Sequence, residues 1–598
     1  MANLCKELLR LFSLGQLAAT EVQSLVLAAS KDGWGRDYAI ARRLIGASQR
    51  KHAQKNASNA VLMAAREFMK SESQVNPYMM VLDPADLSFL LEMYLPHEIF
   101  QRAVAKEPLG KFCLPADAFV AGEPLASLLL EWKDHPDVQF ARPVEEVAMM
   151  GFHCDGVTYT SSSAAGKQKS VLVASLNIVS GDDEVRHRRF PLFCLRKERL
   201  CKCGCGGFCT TQRVFDVLAW SFRVLLSGRN PALRHDSSVF TEYDTAARAK
   251  PGEVIPHAAL LQVRGDWEGL MQIFRLRAPK QSEFCWACDA SSDPASAMSF
   301  HNFAADAPHR GTCFSHRDYL QRCVAEGGQP SNLFRAPGMQ LKHVIVDSMH
   351  AADLGSFCDA VGSLFYIEVT CRAWHPSMAA GLVWLNLKLN KFYKTHKELS
   401  QVTPLVKSQI VSKTNPYPFL KAKAAPVRHV AEFCLQLAYK HMYGIAGEGG
   451  RPAFAFSASS PMRGRTQEHL QLMVDVFRGM ERFGRAVSVS PFDTAACSEG
   501  MTTYLTSLCQ LHKLWRLGRS VADAKRLPWQ LRPKCHLLQH LVLDHILSYG
   551  SPAKFWCYRD EDFVGVVKRI ASKTKHPWTL ESRVLLKLRI LEALNVRV

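Results

Sequence analysis

Between residues 148 and 276 the chain carries three strand-like runs, a helix, a fourth strand-like run and a second helix, in that order. The first run, AMMGFHCDGVTYT (148–160), ends in a turn signal. The second, KSVLVASLNIVS (169–180), is rich in Val, Leu and Ile. The third, RRFPLFCLRKE (188–198), alternates and carries Pro191, which an edge position tolerates. TTQRVFDVLAWSFRVLLSGRNP (210–231) predicts a helix, because Val214, Leu218, Phe222 and Leu225 share a face and Gly228 and Pro231 stop it. HAALLQVRGDW (257–267) predicts the fourth strand, and WEGLMQIFRL (267–276) the helix after it. Strands and helices in this alternation ask for a mixed sheet flanked by helices.

The order matches the first half of an RNase H-like domain. The expected fold class is therefore α/β: an RNase H-like mixed sheet, interrupted by a large helical insertion and preceded by a helical N-terminal region. The expected boundaries are a helical region over 1–145, the first part of the core over 146–289, a mostly helical insertion over 290–530, and completion of the core over 531–598. No internal repeat of 20–50 residues is visible.

Composition narrows the function. The chain has 598 residues, 47% of them apolar, enough to bury a core in most of its length. No run of about eighteen apolar residues occurs, so no membrane span or membrane partner is expected. The start, MANLCKELLRLFSLGQ, reads as an amphipathic helix broken by Lys6, Glu7 and Arg10 rather than as a signal peptide. Nineteen cysteines in so long a chain do not make a secreted disulfide scaffold. They suggest a reducing compartment, with most thiols free and a few binding metal. A net charge of +19 fits polyanionic partners, nucleic acid first, and equally fits a merely basic soluble protein. The segment 35–56, with Arg36, Arg42, Arg43, Arg50, Lys51 and Lys55, reads either as a solvated helix face or as a DNA-contacting helix.

Two carboxylates fall where the strand pattern makes them neighbours. Asp155 sits in the first strand, in CDG, and Asp266 ends the fourth, in RGDW. If strands one and four pair, both emerge at one rim, where they repel unless a cation lies between them. Their hard oxygen donors suit Mg²⁺ or Mn²⁺. Glu561 is the candidate third carboxylate, with Asp560 and Asp562 as competitors in RDED. The competing reading makes Asp266 a helix N-cap.

Soft ligands cluster as well. Cys285 and Cys288 form a CxxC followed by a loop, unlike a redox pair, which opens a helix. A zinc site needs two more soft or imidazole ligands. The local candidates are His301, His309, Cys313 and His316. The distant ones are Cys535, His536 and His540 in PKCHLLQH, where His536 and His540 share a helix face. CKCGCGGFC (201–209) offers four more sulfurs, as a metal site or as a hairpin tip with free thiols.

Together these motifs resemble a DDE transposase of the group containing CACTA-type elements and the V(D)J recombinase catalytic core. The resemblance covers roughly 145–575. It rests on Cys154-Asp155-Gly156, on Asp266 nineteen residues before Cys285, and on Asp289-Ala290 after the CxxC. It rests further on Asp347 and His350 in VDSMHAADLG, on His540 twenty-one residues before Glu561, and on FWCYRDEDFVGVVKR. The resemblance implies that Asp155, Asp266 and Glu561 hold two Mg²⁺ or Mn²⁺ ions for phosphodiester hydrolysis and strand transfer. It implies structural Zn²⁺ on Cys285, Cys288, His540 and either Cys535 or His536, pinning the two ends of the insertion together. It also implies double-stranded DNA as partner, a homodimer, and the nucleus. A catalytically silent DNA-binding or protein-interaction protein of transposon origin is the alternative, and a nuclease of the same fold acting on RNA or hybrids is a third reading.

Overall fold

The computed structural model describes residues 2–31, 42, 45–46, 57–71, 76–83, 86–160, 168–240, 250–370, 377–443, 465–517, 527–574 and 579–594. The chain is mixed α/β and divides into two compact units. One comprises Met1–Arg275, Glu326–Val344 and Tyr558–Val598; the other comprises Leu276–Ala325 and Ile345–Cys557. The basic segment 35–56 lies almost wholly outside the described residues, apart from Arg42, Ile45 and Gly46.

The first unit is built on a six-stranded sheet: β1 (Tyr78–Asp83), β2 (Asp86–Met93), β3 (Val147–Thr158), β4 (Ser170–Ile178), β5 (Phe190–Arg196) and β6 (His257–Arg264). The spatial order is β1-β2-β5-β4-β3-β6. All neighbours run antiparallel except β3 and β6, which are parallel. Every residue of β6 and the first eight of β3 are buried, as expected for a parallel pair covered on both faces. The period-two alternation assigns the covers. Phe152 meets Phe215 of the Phe208–Ser227 helix edge-on, with ring centroids 5.9 Å apart. Val157, Val171 and Val173 instead pack with Phe563, Val567 and Ile570 of the Tyr558–Lys573 helix, and with Val584 and Leu588 of the Leu580–Ala593 helix. The N-terminal helices Ala2–Ser13, Ala19–Lys31 and Ala57–Ser71 form a separate apolar cluster that includes Ile590 and Ala593.

Two expectations about organisation change. The region 1–145 is not all helical, because β1 and β2 form an antiparallel hairpin that joins the sheet beside β5. The stretch 531–557 belongs to the second unit, and the first unit resumes at Tyr558.

Helices dominate the second unit. The helices Thr466–Ser488 and Thr494–Arg516 form its longest pair. They approach closely where glycine faces glycine: a Cβ on Gly479 would fall 2.6 Å from the Gly500 carbonyl oxygen. The Pro533–His540 helix, opened by a proline that needs no amide partner, runs into a π-helical turn over Leu541–His545.

Candidate metal centre and carboxylate rim

Within the second unit, Cys285 and Cys288 meet His536 and His540, and one donor atom from each lies within 4.8 Å of every other. Cys285 Sγ is 3.5 Å from His540 Nε2; Cys288 Sγ is 3.2 Å from His536 Nε2 and 3.5 Å from His540 Nε2; the two Nε2 atoms are 3.1 Å apart. Zn–S bonds of about 2.3 Å and Zn–N bonds of about 2.0 Å in a tetrahedron give edges of about 3.3–3.8 Å, so these spacings suit one such ion. All four side chains are buried. The sulfurs come from a tight loop in which the Ala287 amide donates to Cys285 Sγ over 3.3 Å. The imidazoles come from one helix, four residues apart, and so share its face.

The surroundings prepare these donors for a cation. His540 Nδ1 lies 2.6 Å from Asp544 Oδ2, and Arg310 holds that carboxylate at 2.6 and 3.0 Å. A proton on Nδ1 directed at Asp544 leaves Nε2 as the lone-pair donor, the usual support for a metal-bound histidine. Burial, with His540 and His309 adjacent, holds His536 well below the ordinary histidine range, so its ring is neutral. The neighbouring Cys285 and burial raise the Cys288 thiol, which a divalent cation would hold as thiolate. These residues therefore form a group that can hold a metal such as zinc.

The structure decides among the ligand candidates. Cys535 is outside the group: its Sγ lies 3.2 Å from the Ser356 hydroxyl, which is 2.6 Å from the Tyr504 hydroxyl. Burial pushes the Cys535 thiol up to about 11. One residue of helical phase, about 100°, turns it away from His536 towards Ser356. His301 is outside too, beside Phe300 and His512. His309 bonds Gln539 at 3.0 Å and meets His536 only edge-on. Neither Cys313 nor His316 is part of the group. Sequence reasoning missed Asp544 and Arg310, although Asp544 stands four residues after His540.

The carboxylates lie in the first unit. The β3–β6 pairing sets His153 opposite Arg264, its last pair; Asp155 and Asp266 each follow two residues further along the chain. Asp266 is the N-cap of the Trp267–Phe274 helix, its Oδ1 accepting from the Gly269 amide at 2.6 Å. A Cβ on Gly269 would lie 3.0 Å from that oxygen and 3.3 Å from the Cys154 carbonyl, so the cap abuts β3. Asp155 Oδ1 accepts from the Gly156 amide at 2.6 Å. The glycine of CDG leaves room for Lys197: a Cβ there would fall 2.5 Å from its Nζ.

Asp560, not Glu561, goes into the core. Its carboxylate takes Arg264 at 2.7 and 3.1 Å and Arg189 at 2.5 and 3.5 Å, and all three side chains are buried. Burial alone would raise Asp560, but Arg189 and Arg264 hold it far below the usual carboxylate range. Burial also keeps His153, opposite Arg264 on the neighbouring strand, below the ordinary histidine range. Asp562 is exposed, while Glu561 is half-buried in the first turn of the Tyr558–Lys573 helix. Asp155, Asp266 and Glu561 are not among the groups whose donor atoms all lie within 4.8 Å of one another.

Two further clusters appear. Asp347 holds the Cys557 amide at 2.8 Å and His350 Nδ1 at 2.7 Å, tying the start of a π-helical segment to Cys557. The donor atoms of Cys201, Cys203, Cys205 and Cys209 also lie within 4.8 Å of one another. No known family model matches the chain, and no curated protein matches it.

Proposed function

We propose that this chain is a DNA strand-transfer enzyme of the DDE transposase kind, in which Asp155, Asp266 and Glu561 hold two Mg²⁺ or Mn²⁺ ions. The observation that carries the reading is the parallel pairing of β3 with β6 as far as His153 and Arg264, with Asp155 and Asp266 each two residues further on. The order and sense of β5-β4-β3-β6 agree with an RNase H-like sheet. The strand alternation supports the third position: Asp155 is in phase with Val157, which packs on the Tyr558–Lys573 helix, and Glu561 opens that helix. Asp560 locks the same end of the helix to Arg264.

Such ions, when bound, lower the pKa of a water or 3′-hydroxyl and offset charge on the leaving oxygen. The carboxylates would orient these groups in line with the scissile phosphodiester. Water first cleaves the element end and releases a 3′-hydroxyl; that hydroxyl then displaces a 3′-oxygen in target DNA. Lys197, against Gly156 of β3, and the basic excess of the chain would hold phosphates of double-stranded DNA. Paired ends call for a homodimer, and the substrate calls for the nucleus. The Cys285–Cys288–His536–His540 group would carry structural Zn²⁺, since four protein donors leave no open position.

Purified chain with Mn²⁺ is expected to nick DNA carrying element-like ends. Asp155→Ala and Glu561→Ala are expected to abolish nicking and retain DNA binding; undiminished nicking in both would end the assignment. One observation favours a catalytically silent DNA-binding descendant: an Asp266 oxygen is already engaged as a helix cap. DNA binding by the unaltered chain, with no metal-dependent nicking, would select that second reading.

A further inference from the structure

The loop between β5 and the Phe208–Ser227 helix, with the first turn of that helix, gathers four sulfurs. Cys201 Sγ is 3.1 Å from Cys205 Sγ and 3.7 Å from Cys203 Sγ, and Cys203 Sγ is 3.8 Å from Cys209 Sγ. Zn–S bonds of about 2.3 Å in a tetrahedron separate sulfurs by about 3.8 Å. A disulfide would draw two sulfurs to about 2.05 Å and sort the four into pairs. Here Cys201 and Cys203 each contact two others, so the sulfurs form one set.

The backbone is shaped for this convergence. Gly204, Gly206 and Gly207 take φ of 92°, 66° and 90°, a left-handed turn that L side chains resist and that doubles the loop back on itself. The Cys209 amide donates to Cys205 Sγ at 3.3 Å, and the Cys201 amide to Thr210 Oγ1 at 2.8 Å, so both ends are clamped. Charge is suited as well. Four thiolates around a divalent cation carry a net charge of −2, and Arg199, Lys202 and Arg213 line one cavity with Cys201 and Cys209.

We propose that Cys201, Cys203, Cys205 and Cys209 bind one Zn²⁺ as a tetrathiolate, separate from the Cys285–His540 centre. The ion would fasten the end of β5 to the start of the Phe208–Ser227 helix. It would also fix the loop that carries Lys197, Arg199 and Lys202. The inference does not depend on strand-transfer activity.

The test uses the full chain, purified under reducing conditions with Zn²⁺ present, with metal counted by elemental analysis and native mass spectrometry. The unaltered chain is expected to hold two equivalents of zinc. The double variant Cys203→Ser/Cys209→Ser, at two exposed side chains, is expected to lose one of them with unchanged circular dichroism. Cobalt substitution supplies a second readout: that variant should lose the stronger thiolate-to-cobalt charge-transfer band and keep the weaker one of a mixed sulfur–imidazole site. Full zinc retention by the double variant, or disulfides among these four cysteines in the reduced preparation, would overturn the proposal.

Discussion

At residue scale, one buried anion serves two buried cations. Asp560 balances Arg189 and Arg264, and removing it leaves two guanidinium groups without that partner in the core. Breaking a buried pair from one side costs about 3–5 kcal/mol, so Asp560→Ala is expected to lower stability by at least that much in chemical denaturation. The pH dependence has a definite sign. The folded carboxyl titrates below its unfolded value, so its contribution is fully present above about pH 4 and fades as pH falls towards the folded value. Asp560→Asn should therefore flatten the acid limb of the stability curve; an unchanged limb would mean that other carboxylates set it. The neighbouring Glu561, half-buried one residue on, lacks this core role. In RDED the sequence offers three acids without saying which faces inward. Only the helix phase against β3 separates the structural acid from the candidate catalytic one.

At element scale, the Pro533–His540 helix turns a one-residue difference into a difference of chemistry. His536→Ala or Cys288→Ser is expected to abolish metal retention at the Cys/His group, whereas Cys535→Ser, on the side of Ser356 and Tyr504, should leave it intact. Zinc release monitored with a chromogenic chelator checks both outcomes, and metal loss in Cys535→Ser would reverse the ligand assignment. Much of this level was legible in the sequence. The strands β3 to β6 were readable because Val, Leu and Ile runs of strand length are bounded by turn residues. The ligand types Cys285, Cys288 and His540 were readable because few residues bind soft metals. The strands β1 and β2 were not, because DPADLSFLLEM carries no clean alternation and its pairing with β5 is long-range. Arg310's part in supporting His540 was hidden for a related reason, since it lies 234 residues from Asp544, whereas Asp544 itself stood in plain view four residues after His540.

At the scale of the whole molecule, no described helix is long and apolar enough to cross a membrane. A formal charge of +19 gives the chain a field that favours polyanions. If that field holds phosphates, DNA affinity should fall steeply and log-linearly with salt, with a slope that counts the contacts. Lys197→Gln should reduce that slope by about one ion. Fluorescence anisotropy across a salt series measures both, and a flat response would remove phosphate contact from the reading.

The helices that cover β3 and β4 have a consequence for biosynthesis. They lie at 558–593, after the entire second unit has been translated. Until the ribosome has released that segment, Asp560 cannot reach Arg189 and Arg264, and Val157, Val171 and Val173 lack their covering helices. Any product terminated before Tyr558 would therefore keep an open, sticky sheet and fall to quality control, so intact synthesis to the last helices is a condition for the first unit to persist at all.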